Sequence, residues 1–217
     1  MENYFIIHGS FGSPFGNWFS WLQDFIATDG KQVYVPDFPI GVGYQNYENW
    51  SKLLKYYLDL GLINENTTII IPEELLTKLL RKGINKNAII TVEPNEKYMV
   101  QGIKFETIPA YNTNKTFHPK ENGWVGYIIT LDDIRYYIAG DTDITEENRK
   151  VKCDVAFVPV GGTYTMDFKE AAQLINEIQP KIAVPIHYGS VVGTKQDATD
   201  FIKLLHPSIK GIILMKQ

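Results

Sequence analysis

Two short apolar segments each end in a side chain that can bind a metal ion. Residues Ile134–Asp143 are typical of a buried strand that ends at Gly140 and presents Asp141 at its carboxyl end. Residues Lys181–Ser190 form a second such segment, which presents His187. If both strands run the same way in one sheet, the carboxylate and the imidazole emerge at the same edge. The pattern therefore predicts half of a metal site.

Composition limits the classes of function. The chain has 217 residues, which fits one large domain or two small ones, and a net charge of −4 from 21 basic and 25 acidic residues. This balance predicts neither a nucleic-acid partner nor binding to an anionic membrane. The only cysteine, Cys153, excludes an intrachain disulfide and fits a reducing compartment. No basic start precedes a long apolar run, so we predict a soluble cytoplasmic protein with no membrane segment.

The first 71 residues alternate between strand and helix patterns. Apolar spacing predicts a βαβαβ segment with parallel strands and helical crossovers. Its strands are predicted at Tyr4–Ile7, Gln32–Val35 and Thr67–Ile71, and its helices at Trp18–Ile26 and Tyr47–Leu60. We place a boundary near residue 71, which gives segments 1–71 and 72–217, packed as one unit.

The remaining segment mixes hairpins with further strands and helices. One hairpin is predicted around Gln101–Gly102 and a second around Leu131–Asp133. The helices are predicted at Pro72–Arg81, Phe168–Ile178 and Gln196–Leu205. The single strands are predicted at Ala88–Val92, Val155–Val160 and Ile209–Leu214, in addition to the strand before His187.

Five segments of the second part give a specific resemblance. They lie in the same order as their counterparts and comprise Ile108–Asn112, Phe117–Lys120 with Gly123–Tyr127, Tyr137–Asp143, Val158–Met166 and Pro185–Gly189. Residues 72–217 resemble a metal-dependent hydrolase of the metallo-β-lactamase fold, in the branch that includes ascorbate-phosphate lactonase-like proteins. The resemblance implies an α/β fold, an αββα sandwich, and hydrolysis of a small phosphorylated or lactone-like molecule.

The resemblance also assigns roles to residues. It implies that Asp141 bridges two metals and that His187 binds the second one, with zinc or another divalent metal as cofactor. Asn112 occupies the place where many members carry a further histidine ligand, and His118 follows six residues later as a candidate third ligand. The residues expected to line the pocket or to support the ligands are Asn112, Asp143, Thr163 and Tyr164.

One motif of that family is absent from the sequence. The family's His-x-His-x-Asp-His motif supplies most of a two-metal site, whereas this chain has four histidines, at positions 8, 118, 187 and 206, with no two close together. We therefore predict an incomplete metal site with reduced or no activity. The alternative interpretation is that Asp141 caps a turn and that His187 is a hydrogen-bonded polar residue at a strand end.

The first part resembles a different hydrolase. Residues Phe5–Leu22, Val33–Pro39 and Gln45–Trp50 are similar to the start of a small α/β-hydrolase of the retinoblastoma-binding-protein type. That resemblance implies an oxyanion-like loop at His8, Gly9 and Ser10. The nucleophile motif Gly-x-Ser-x-Gly of that fold is absent. The chain is thus predicted to be chimeric, with an α/β-hydrolase-like segment replacing the first third of the sandwich.

Three hypotheses remain open at this point. The first is a metal-dependent hydrolase of a small molecule. The second is a non-catalytic hybrid that binds a ligand or forms a homo-oligomer, since an exposed half-sheet favours self-association. The third is a serine or cysteine esterase. Metal content separates the first two, and labelling by a serine or thiol probe tests the third.

Overall fold

The computed structural model describes residues 3–5, 32–34, 47–64, 67–81, 83–189 and 192–214. The predicted helix Trp18–Ile26 and the loop at His8, Gly9 and Ser10 lie outside these ranges. The chain divides into two compact units, one of Met1–Thr67 with Leu214–Gln217 and one of Thr68–Ile213. In the described ranges, no helix combines the length and the apolar character that crossing a bilayer requires.

The first unit contains parts of the predicted βαβ pattern. Strands β1 (Asn3–Phe5) and β2 (Gln32–Tyr34) pair in parallel, with Tyr4 opposite Val33. Helix α1 (Tyr47–Asp59) follows, as the apolar spacing predicts. The ring of Tyr57 on this helix contacts the ring of Tyr34 edge-on, with centroids 5.9 Å apart. The likeness of this unit to an α/β-hydrolase stays a prediction.

The second unit is built on one mixed sheet of seven strands. Its strands are β5 (Lys97–Val100), β6 (Ile103–Pro109), β7 (Val125–Leu131), β8 (Ile134–Ile138), β9 (Val155–Pro159), β10 (Ile182–Ile186) and β11 (Lys210–Gly211). They lie in simple order from β5 to β11. Strands β5 to β8 pair antiparallel, and β8 to β11 pair in parallel. A separate parallel pair joins β3 (Ile69–Pro72) to β4 (Ile89–Val92).

Both predicted hairpins are present, and their turns explain how β5 pairs with β6 and how β7 pairs with β8. Gln101 and Gly102 have φ values of 49° and 82°, and Asp132 and Asp133 have values of 48° and 62°. Two central residues with positive φ are the signature of a type I′ turn, whose twist matches that of the flanking strands. Asp and Gly tolerate this conformation better than most residues, so local sequence alone places these two turns.

Helix α2 (Leu76–Arg81) follows a 3₁₀ turn at Glu73–Leu75, between β3 and β4 in the chain. Helices α3 (Phe168–Ile178) and α4 (Lys195–Lys203) pack against β9 and β10 in the parallel half of the sheet. Helix α3 begins at a capping box in which Asp167 accepts from the amide of Glu170, and the Glu170 carboxylate accepts from the amide of Asp167. All five residues of β9 are buried, as expected for a parallel strand covered on both faces.

Two predicted strands differ from the observed ones. The last strand was expected over Ile209–Leu214, but only Lys210–Gly211 is regular, because β11 is an edge strand with β10 as its partner. The strand expected at Thr67–Ile71 begins at Ile69 and pairs with β4 of the second unit. The burial of its apolar side chains depends on β4, whose residues pair with those 20 positions earlier in the chain, as Ile89 does with Ile69.

Candidate functional site

Three loops meet at one edge of the seven-stranded sheet. Strands β8 and β10 run parallel on either side of β9, so the predicted common edge for Asp141 and His187 is confirmed. Strand β6 is antiparallel to β7, and β7 is antiparallel to β8, so β6 also ends at this edge. The loop after β6 carries His118. Three residues that are distant in sequence are therefore brought to one place by the strand order.

Asp141 is the centre of the resulting cluster. His118 Nε2 lies 3.2 Å from Asp141 Oδ2, and His187 Nε2 lies 3.1 Å from Asp141 Oδ1. The two imidazoles thus face different oxygens of one carboxylate. Their side chains are 19% and 41% exposed, so His118 forms the inner side of the cluster and His187 the solvent side.

Both histidines adopt a backbone conformation that is unfavourable for residues with a Cβ. The φ values are 55° for His118 and 62° for His187, and Gly140 beside Asp141 also has a positive φ, of 70°. A left-handed conformation costs a non-glycine residue roughly 1–2 kcal/mol. Residues in such conformations concentrate at functional sites, where tertiary contacts hold them. The other contacts of the fold therefore offset the conformational cost of placing these two imidazoles.

The inner side of the cluster contains an amide with an unused acceptor. Asn112 is 7% exposed, and its Nδ2 donates to the carbonyl of Tyr164 at 2.8 Å and lies 3.5 Å from His118 Nδ1. Its Oδ1 is buried and has no hydrogen-bond partner among the residues that the structure describes. An unsatisfied buried acceptor costs about 1–3 kcal/mol. Asn112 Oδ1 is therefore a ready acceptor for a cation or a donor at this place.

The other predicted pocket residues have different surroundings. Asp143 is 2% exposed and is bound by Lys115 and Thr113, so its carboxylate supports the His118 loop. Tyr164 packs edge-on against Phe117, with ring centroids 4.9 Å apart. Thr163 is exposed to solvent in the loop that follows β9.

Sequence reasoning missed the residues that surround His118. The ring of Trp124 meets the His118 ring edge-on, with centroids 5.2 Å apart, and its Nε1 donates to Glu74 Oε2 at 2.6 Å. Lys115 makes a buried ion pair with Asp143. A lone lysine in a polar loop carries no periodic signal, so the contact of Lys115 with Asp143 could not be found from the sequence.

The donor types of the cluster can be compared with what a metal ion requires. Across the described ranges, no three His, Cys, Asp or Glu side chains are arranged to hold a metal ion. In the cluster, the histidines instead satisfy Asp141 directly. The available donors are nevertheless two imidazole nitrogens, one carboxylate and the free amide oxygen of Asn112. By chemistry this set fits a divalent transition metal.

The fold and the loop edge define the class of protein. The family model for the beta-lactamase superfamily domain matches residues 20–187, a range that includes His118, Asp141 and His187. The chain therefore belongs to the beta-lactamase superfamily. The match begins at residue 20, so it also extends into the segment that we predicted to be α/β-hydrolase-like.

Curated relatives point to one group within this superfamily. The chain is 32% identical over 120 residues to a UPF0173 metal-dependent hydrolase of Thermococcus onnurineus, over 53% of this chain and 54% of the relative. It is 30% identical over 147 residues to a UPF0173 metal-dependent hydrolase of Nitratidesulfovibrio vulgaris, over 65% and 57% of the two chains. The chain thus spans about half the length of the curated relatives it matches.

Solved structures support the fold. A protein of Parabacteroides distasonis, provisionally assigned as a metal-dependent hydrolase, has a TM-score of 0.62 at 29% identity, over 80% of this chain and 72% of that one. Igni18, a metallo hydrolase from Ignicoccus hospitalis, has a TM-score of 0.58 at 22% identity, over 77% and 72%. The α/β fold of the metallo-β-lactamase type is therefore confirmed for this chain.

Proposed function

We propose that the chain is a metal-dependent hydrolase of a small molecule, with the Asp141 cluster as its metal centre. One observation carries the proposal: each oxygen of Asp141 faces the Nε2 atom of a different histidine. Carboxylate and imidazole are the groups that hold catalytic metals in hydrolases, where three protein ligands leave one position open for water or substrate. The names of the relatives as metal-dependent hydrolases support the same class.

The proposed ligands are Asp141, His118 and His187, with Asn112 Oδ1 as an additional oxygen donor. When bound, a divalent cation lowers the pKa of its water toward 7 and polarises the scissile bond. His187 is 41% exposed, so substrate enters on its side of the cluster. The His118 ring lies on the inner side, between Asn112 and Trp124. These two contacts would hold the ring in place if a metal ion replaced Asp141 as the neighbour of Nε2.

The absence of the His-x-His-x-Asp-His motif shapes the proposed chemistry. Without that motif, Asp141, His118 and His187 are the donors that remain, and as they stand they are not arranged to hold a metal ion. We therefore propose a single metal ion of moderate affinity, whose binding would require these side chains to rearrange. We propose that hydrolysis is slow, because a single cation would lack the leaving-group stabilisation that two-metal sites supply. Zinc is the proposed metal, since the donor set combines two imidazoles with a carboxylate.

A non-catalytic binding protein is the second candidate function. It is favoured by the direct contacts of both histidines with Asp141, which satisfy the carboxylate without a cation. Such a cluster can hold a loop edge together and bind a ligand without turning it over. Under this proposal the protein folds and binds small molecules but contains no stoichiometric metal.

Metal content per chain tests the proposal. Protein is purified without chelator and without an affinity tag, and the metal is measured by elemental analysis. The comparison is between the wild type, His187→Ala and a matched control, His206→Ala. His206 is exposed and contacts Ser208 at 2.7 Å, remote in sequence from the cluster.

The expected result is close to one metal ion per chain in the wild type and in His206→Ala, and at most a tenth of that in His187→Ala. Metal-loaded protein is then assayed against phosphate esters and lactones. Stoichiometric metal without turnover would contradict hydrolysis and leave metal binding alone. Background metal in all three proteins would overturn the metal-dependent proposal.

A further inference from the structure

The loop that carries His118 is closed at its base. The amide of Asn112 donates to the carbonyl of His118 at 2.9 Å, so residues 112–118 form a closed loop. This bond fixes the two ends relative to one another. It does not by itself fix the loop relative to Asp141, which lies in a different segment. A second set of contacts has to provide that.

Asp143 provides contacts from the middle of this loop to the Asp141 segment. Its Oδ2 accepts from the amide of Thr113 at 2.9 Å and from the Thr113 hydroxyl at 3.4 Å, and its Oδ1 pairs with Lys115 Nζ. The side chains of Asp143 and Lys115 are 2% and 17% exposed. The pair is therefore largely buried, and each carboxylate oxygen of Asp143 has a donor from the loop.

Asp143 is itself held firmly in place. Its amide donates to the carbonyl of Tyr111 at 2.9 Å, and its carbonyl accepts from Thr142 Oγ1 and from Asn148 Nδ2, each at 2.8 Å. Asp143 lies two residues after Asp141. One short segment therefore carries both Asp141, whose carboxylate faces His118, and Asp143, which binds the loop that contains His118.

We infer that the Lys115–Asp143 pair is a positioning device that sets His118 Nε2 opposite Asp141 Oδ2. The inference deepens the proposed function and rests on it where metal affinity is measured. A buried ion pair contributes little net stability because both charges lose water. Its role is instead geometric. The two carboxylate oxygens of Asp143 bind the Thr113 amide and the Lys115 ammonium group, so residues 113–115 can take only one position relative to Asp143. That placement also holds His118 in its left-handed conformation, with a φ of 55°.

A second ion pair just beyond the loop offers a matched control. Lys120 Nζ lies 2.8 Å from Glu147 Oε1, and the Lys120 side chain is 56% exposed. An exposed pair of this kind is screened by water and contributes little. Lys120→Met therefore removes the same group, five residues further on, without removing the buried anchor.

The first readout is affinity for Zn²⁺, measured by competition with a chromogenic chelator. Lys115→Met is expected to bind zinc roughly 10–100-fold more weakly, the usual effect of removing a group that orients a metal ligand. Lys115→Arg keeps the charge and is expected to recover most of the affinity. Lys120→Met is expected to match the wild type. Equal affinity of Lys115→Met and wild type would overturn the inference.

The second readout needs no metal. The ring C–H signals of the four histidines are recorded by NMR in chelator-treated protein, and the His118 signal is assigned by its loss in His118→Ala. Lys115→Met is expected to shift and broaden the His118 signal, whereas Lys120→Met leaves it in place. An unchanged His118 signal in Lys115→Met would refute positioning.

The two readouts separate the two proposals. If wild-type protein binds no zinc, the proposed function fails, and the NMR comparison alone decides the positioning role. If Lys115→Met does not fold, Asp143→Asn replaces it, because the amide still accepts from the Thr113 amide but carries no charge. A His118 signal that is the same in Asp143→Asn and wild type would then overturn the inference.

Discussion

Replacing Asn148 by alanine tests how the loop after Asp141 is held. Asn148 is completely buried, and its side chain bridges two backbone groups. Its Oδ1 accepts from the amide of Thr145 at 2.9 Å, and its Nδ2 donates to the carbonyl of Asp143 at 2.8 Å. Asn148→Ala leaves the Thr145 amide buried without this acceptor and removes one of the two donors to the Asp143 carbonyl.

The expected loss follows from these two groups. An unsatisfied buried polar group costs about 1–3 kcal/mol. The Asp143 carbonyl keeps its hydrogen bond from the Thr142 hydroxyl, so its contribution to the loss of stability lies at the low end of that range. The free energy of unfolding is therefore expected to fall by about 2–4 kcal/mol. Urea unfolding, followed by circular dichroism, measures this change.

Asn176 is the matched control. It also bridges a backbone amide and a carbonyl, since its Oδ1 accepts from His206 at 2.8 Å and its Nδ2 donates to Leu204 at 2.9 Å. These bonds lie at the exposed surface, where water replaces them, and alanine suits a helix better than asparagine. Asn176→Ala is expected to change stability by at most about 0.5 kcal/mol. Equal losses in the two variants, or a loss below about 1 kcal/mol for Asn148→Ala, would refute the reasoning.

Two further predictions concern the edge of the sheet and the single thiol. In Gly161→Ala, the new Cβ would overlap the carbonyl oxygen of His187 and approach Val192 Cγ2 to 3.0 Å, so His187 must move. We expect a stability loss of about 1–3 kcal/mol, measured by thermal melting, together with reduced metal content; unchanged values of both would contradict it. Burial raises the pKa of Cys153 to about 12, so iodoacetamide at pH 8 should alkylate it at least about tenfold more slowly than in urea. Equal rates in the native and unfolded chain would instead support a reactive thiol.

The sequence by itself determined the local elements of the second unit. The hairpin turns at Gln101–Gly102 and Asp132–Asp133 and the helix Phe168–Ile178 follow from turn residues, apolar spacing and a cap, which involve neighbours in the chain. It also placed Asp141 and His187 at one edge, since both follow apolar strand segments and only the strand direction had to be assumed.

Only the tertiary structure decided how the third histidine joins them. His118 reaches Asp141 because the loop after β6 is anchored by the bond from Thr113 to Asp143, two residues that are 30 positions apart. The left-handed conformation of His118 and the buried acceptor of Asn112 likewise have no local sequence signal. No short-range pattern encodes such an arrangement, because each of these residues is placed by partners from another strand's loop.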